Sequence, residues 1–173
     1  MNNKQGIFLF LRYLFLLLVG LFNLELFYLI FSPLTVYPVF GFLYLFDDKA
    51  NLLAGQLLFF KGNYASLIPA CIAGAAYYML LILNLSTPMD VKKRAISVAL
   101  LIFSFLVINI LRIIFFIFLL SSGPTYFDLA HKFVWYFGST MMVVALWFFN
   151  VWLLEIHTIP VYTDAKRLIH EIA

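Results

Sequence analysis

The sequence predicts an all-α polytopic membrane protein, with about four transmembrane helices and a small outer hairpin or re-entrant segment. Three observations carry this. Hydrophobic residues make up 65% of the 173-residue chain and charged residues only 11%, and the mean hydropathy is +1.05, all far from the ranges of soluble domains. The apolar residues fall in runs of the ~20 residues that cross a bilayer. The basic residues gather at the ends of those runs, where they set orientation. A chain of this length holds about four such spans with short loops, so a single membrane domain over 1–173 is expected. The net charge of +3 is too dispersed to make a nucleic-acid-binding surface, and no nucleic-acid partner is expected.

Lys4 and Arg12 precede the first apolar run. That run, 13–31, lacks a small-residue cleavage pattern and is read as a retained first span. Asn23 and Glu25 inside it are costly in lipid, so they face other helices or water, or Glu25 snorkels to an interface. Beyond Pro33, the stretch 36–46 is apolar but punctuated by Pro38 and Gly41. It is short for a span and is expected as a re-entrant or interfacial segment or a distorted helix. Asp47, Asp48, Lys49 and Asn51 make a polar break. Leu52 to Phe60, the turn-like Lys61-Gly62-Asn63 and Tyr64 to Ile68 then predict a hairpin.

Pro69 suits a first helical turn, and a second span follows over 70–85. Pro88 and the Lys92-Lys93-Arg94 cluster mark a cytoplasmic loop. The third span is 95–120, Gly123-Pro124 make a turn, and the fourth span is 131–155. This order places both termini in the cytoplasm, consistent with Lys4, Arg12, Lys166 and Arg167, and leaves the hairpin and the 121–128 loop outside. Tyr77, Tyr78, Trp135, Tyr136, Trp147 and Trp152 are expected as packing residues or interface anchors.

The polar residues inside the spans are the candidate site. Cys71 is the single cysteine, which excludes an intrachain disulfide and a multi-cysteine metal site. Counting from the cytoplasmic loop at 1.5 Å per residue, Cys71 lies about 20 Å up the second helix and Arg112 about 27 Å up the third. His131, beginning the fourth helix, enters from the same outer side. A thiol next to a cation and an imidazole is suited to nucleophilic catalysis. The thiolate attacks, the imidazole moves the proton, and a permanently charged guanidinium holds a carbonyl or its oxyanion. Asn109, one turn before Arg112, either positions the guanidinium or substrate or makes an ordinary interhelical hydrogen bond. Asp128 either orients His131 or caps a helix. Arg112 alternatively pairs with Glu25. His157 and His170 look incidental, and no metal or cofactor is called for.

Taken together, the hairpin running into Pro69-Ala70-Cys71, then Asn109-Ile110-Leu111-Arg112 and Asp128-Leu129-Ala130-His131 on consecutive spans, resembles the archaeosortase/exosortase family. The resemblance covers roughly 51–155, and the short length is similar to an archaeal-type member. It implies catalytic Cys71, Arg112 and His131. It also implies substrates that are secreted proteins with a C-terminal sorting tail, a thioester intermediate, and transfer to an amine acceptor, a membrane lipid headgroup, with hydrolysis as the variant. In one respect the chain departs from the pattern. Many members have glycine two residues after the cysteine, whereas here Gly74 stands three after. A noncatalytic transport or assembly subunit is the main rival reading, and a cysteine-independent intramembrane hydrolase a remote one, for want of Ser-His, paired-Asp or His-Glu motifs.

Overall fold

The computed structural model describes residues 3–21, 24–54 and 56–156. The chain runs α1 (Asn3–Leu21), α2 (Glu25–Tyr44), β1 (Asn51–Leu53), β2 (Leu57–Phe60), β3 (Asn63–Ser66), α3 (Pro69–Ile72), α4 (Gly74–Leu85), α5 (Val91–Ser122), α6 (Pro124–Phe133), a π-turn (Val134–Gly138) and α7 (Ser139–Leu153). The molecule is mostly helical, as expected, with one small sheet. Among the described residues two helices, α2 and α5, are long and apolar enough to cross a membrane. The 32 residues of α5 make a rod of about 48 Å, longer than the ~30 Å hydrocarbon layer.

The helix limits differ from the sequence expectation in instructive ways. The segment expected as one helix over 13–31 is divided, because Leu24 adopts a left-handed conformation (φ 61°) that an α-helix cannot accommodate. Asn23 lies outside the described residues. α2 then passes through Pro33 and Pro38 to Tyr44, so 36–44 forms the distal half of a helix, the helical one of the alternatives expected there. Each proline removes one backbone donor, but that half of α2 buries Thr35, Val36, Val39 and Leu43, and packing outweighs the lost bonds. The expected 70–85 helix is interrupted at Ala73, and the third helix extends to 91–122. The fourth helical run starts at Pro124, so His131 sits within α6 and does not begin the helix.

The hairpin forms, and a further strand joins it. β2 and β3 pair antiparallel with Leu58 opposite Ala65 and Phe60 opposite Asn63. Lys61 and Gly62 both have positive φ (45° and 82°), as a two-residue primed turn requires. Asp47 braces the turn by accepting the Lys61 N–H at 3.0 Å. β1 adds to the free side of β2. Leu58 and Phe60 point inward and are fully buried, which seats the sheet on the helices.

An aromatic column joins α2, α4 and α5. Phe31 stacks on Tyr77 with ring centroids 3.7 Å apart, and Tyr77 meets Phe105 edge-on at 4.6 Å. Of the other aromatics singled out above, Tyr78 donates to the Leu16 carbonyl and Trp147 is buried, while Trp152 is exposed. Leu29, Phe103, Phe115, Met141 and Phe148 also stand exposed on α2, α5 and α7. Several helices therefore show large apolar side chains outward, a surface that water disfavours and hydrocarbon accepts.

Candidate functional site

Pro69 starts α3 after the extended Ile68, and the short helix carries Cys71 for barely one turn before breaking. The break is at Ala73, with φ 61° and ψ 42°. This is the residue two after the cysteine, where glycine occurs in the pattern that the chain resembles. The left-handed conformation is the one glycine adopts without steric cost and alanine adopts at roughly 1 kcal/mol. Gly74 meets a different demand, since a Cβ there would stand 2.9 Å from the Tyr28 ring. The shifted glycine thus leaves the backbone turn in place, with the strain carried by Ala73.

The break exposes the last carbonyls of α3, and α5 supplies their partners. The Asn109 amide nitrogen donates to the Cys71 carbonyl at 3.0 Å and to the Ile72 carbonyl at 3.4 Å. The Arg112 guanidinium donates through Nη2 to the same Cys71 carbonyl at 3.3 Å and through Nη1 to Ser139 Oγ at 2.9 Å. Asn109 and Arg112, one turn apart, therefore hold the peptide of the cysteine from one helix face. Asn109 is fully buried, and its Oδ1 has no hydrogen-bond partner among the described residues, nor does Arg112 Nε.

Cys71, Arg112, Phe116, His131, Val134 and Ser139 line one cleft of about 110 Å³, roomy enough for several waters or a carbonyl group. Cys71 is partly exposed there. The His131 ring stacks on Phe127 at 5.1 Å and meets Phe116 edge-on at 5.4 Å, so aromatic rings hold its plane at the cleft wall.

The three residues singled out for catalysis thus share a cleft, and Asn109 supports it through the cysteine backbone. Asp128 is exposed within α6, while the N-cap position of that helix is Gly123, so the capping role is excluded. Glu25 is exposed at the start of α2, and the hydrogen bonds of Arg112 run to Cys71 and Ser139 rather than to it. His157 and His170 lie outside the described residues. Among the described residues no group of three or more His, Cys, Asp or Glu is placed to hold a metal ion.

Ser139 is the residue that sequence reasoning missed. It follows Gly138 in an apolar stretch, a pattern that looks like helix packing. Its one signal is its distance from His131, eight residues, which aligns the two closely on one helix face when the helix contains a wide turn. Compared with known proteins, the chain matches no family model, no curated protein and no solved structure, so the case for the site rests on its geometry and on the sequence pattern.

Proposed function

We propose that the protein is a membrane cysteine peptidase-transpeptidase that cleaves a C-terminal sorting tail of secreted proteins and transfers the new C-terminus to an amine, in a membrane lipid headgroup. The observation that carries this reading is the cleft shared by Cys71, Arg112 and His131, with the cysteine backbone gripped by Asn109 and Arg112. In this reading the chain crosses the membrane four times, through the α1–α2 stretch, α3–α4, α5 and the run from α6 to α7. The Lys92-Lys93-Arg94 end of α5 and both termini lie in the cytoplasm, and the cleft opens outward.

The chemistry follows from the groups at hand. His131 takes the Cys71 proton, and the sulfur attacks the scissile carbonyl, giving a tetrahedral oxyanion. The Arg112 guanidinium stabilises that oxyanion in a poorly solvated cleft, where such an interaction is strong. Collapse breaks the C–N bond, the departing amine receives the proton from His131, and a thioester remains on Cys71. The acceptor amine, its proton passing to His131, attacks the thioester carbonyl. The new amide forms as the C–S bond breaks, and the proton returns to the Cys71 sulfur. If water attacks in place of the amine, the outcome is hydrolysis.

The rival, a noncatalytic transport or assembly subunit, draws on the buried interhelical contacts of Asn84, Ser97 and Asn150. The deciding experiment is mass spectrometry of a tailed secreted substrate co-expressed with wild type and with Cys71→Ala. A processed C-terminus carrying a lipid-derived amine, lost in Cys71→Ala while that variant accumulates in membranes, supports transpeptidation. Normal processing by Cys71→Ala sinks the reading.

A further inference from the structure

We propose that Ser139 is a positioning residue for Arg112, brought to the cleft by the π-turn of the helix that also carries His131. The proposal rests on the peptidase-transpeptidase reading and adds to it a second-helix anchor for the guanidinium.

The argument begins with rotation along the helix. Eight residues separate His131 from Ser139. At 3.6 residues per turn, that spacing leaves the second residue about 80° away from the first. Between them lies the π-turn Val134–Gly138, whose i→i+5 bonding takes up one extra residue. With that residue absorbed, the eight-residue spacing behaves as seven and falls within about 20° of the same face. His131, Val134 and Ser139 accordingly line one cleft. Gly138 permits the turn, because a Cβ there would stand 2.9 Å from Val134 Cγ1.

The hydroxyl is also oriented. The Val134 carbonyl accepts the Ser139 backbone N–H and, at 3.5 Å, a weak bond from Ser139 Oγ. Turning its proton toward Val134 leaves Ser139 Oγ free to accept from Arg112 Nη1. The guanidinium is thereby fixed by two acceptors on different elements, Ser139 on one side and the Cys71 carbonyl on the other. A long, flexible side chain held at both ends of its planar fork loses its alternative rotamers before substrate arrives. Packing alone does not account for serine here, because alanine is the better helix former.

The test uses the full-length protein in membranes, with a tailed substrate. Ser139→Ala is expected to lower kcat about 10- to 100-fold, the effect of losing one hydrogen bond to a charged group, with KM little changed. Ser139→Thr and Ser139→Val have the same shape and differ in the hydroxyl, so their ratio isolates its effect even if the alanine variant accumulates poorly. Thr is expected to retain activity that Val loses. In an Arg112→Lys background, which retains a charge but not the planar fork, Ser139→Ala should cause little further loss. Equal kcat for Thr and Val, or full additivity with Arg112→Lys, overturns the proposal. If instead Arg112→Ala or Cys71→Ala processes substrate normally, the catalytic reading itself fails.

Discussion

Two polar clusters hang on α5, one around the buried Arg94 and one around the half-buried Arg112, and they are built from nearly the same parts. The arginines are 18 residues apart (112 minus 94), about five helical turns, and so lie on one face. Each has a polar neighbour three residues away, Ser97 for Arg94 and Asn109 for Arg112. Each donates to carbonyls at a helix end. Arg94 bonds the Asn84 and Thr87 carbonyls at 2.8 and 2.9 Å, and Arg112 bonds the Cys71 carbonyl. Each cluster also recruits a side chain from α7, Asn150 to Ser97 at 2.8 Å and Ser139 to Arg112.

The surroundings differ. Asn84, Ser97 and Asn150 are wholly buried, and Arg94 serves there as a cap for the end of α4, where a cation meets the negative pole of the helix. At the other end, the same kind of constellation borders a cleft that also contains a thiol and an imidazole. A buried arginine in an apolar helix is therefore no sign of catalysis by itself. What the second cluster adds is a cleft that the charge shares with a thiol and an imidazole.

Paired substitutions break or sharpen this contrast. The largest effect is expected from the arginines. Arg112→Ala should lower substrate processing at least 10²- to 10³-fold with the folded protein still present in membranes. Arg94→Ala should leave turnover per folded molecule intact while costing about 3 kcal/mol in stability, measured by thermal unfolding in detergent. Equal loss of turnover in both would erase the distinction.

Labelling provides a second comparison. A small alkylating reagent should modify Cys71 in wild type, while Ser97→Cys in a Cys71→Ala background should stay unmodified until the protein is unfolded. Among the asparagines, Asn150→Ala should destabilise by about 1–2 kcal/mol without changing kcat. Asn109→Ala should do both, because its amide holds the cysteine backbone. The smallest effect is expected at the turn after the cysteine. Ala73→Gly should stabilise the protein by up to about 1 kcal/mol and preserve activity, since it relieves the left-handed strain without moving the backbone. A marked loss of activity would mean that the alanine methyl itself touches the site.

How much was legible beforehand varies by element. The turn at Lys61-Gly62 was readable because few residues tolerate positive φ in succession. The end of the first helix was not. The first span is expected to run unbroken over 13–31, yet a left-handed residue falls at Leu24, which has no local tendency to end a helix, and α2 continues from there through Pro33. Cys71, Arg112 and His131 stood out as polar groups in apolar surroundings. Asp128 stood out equally but sits exposed within its helix, and Ser139 did not stand out at all.

By itself, the sequence determined the character of the protein: predominantly helical, strongly apolar, with a hairpin ahead of the cysteine and a few polar side chains in long hydrophobic runs. These are local properties, set by composition, hydrophobic run length and turn chemistry. Only the tertiary structure decided that Arg112 borders a cleft together with Cys71 and His131, that Asn109 and Arg112 share the Cys71 carbonyl, and that Ser139 follows a π-turn and lines the same cleft. Those outcomes depend on helix rotation and on what packs against each face. A shift of one residue changes direction by about 100°, and whether the π-turn accommodates that residue is settled by contacts among distant segments.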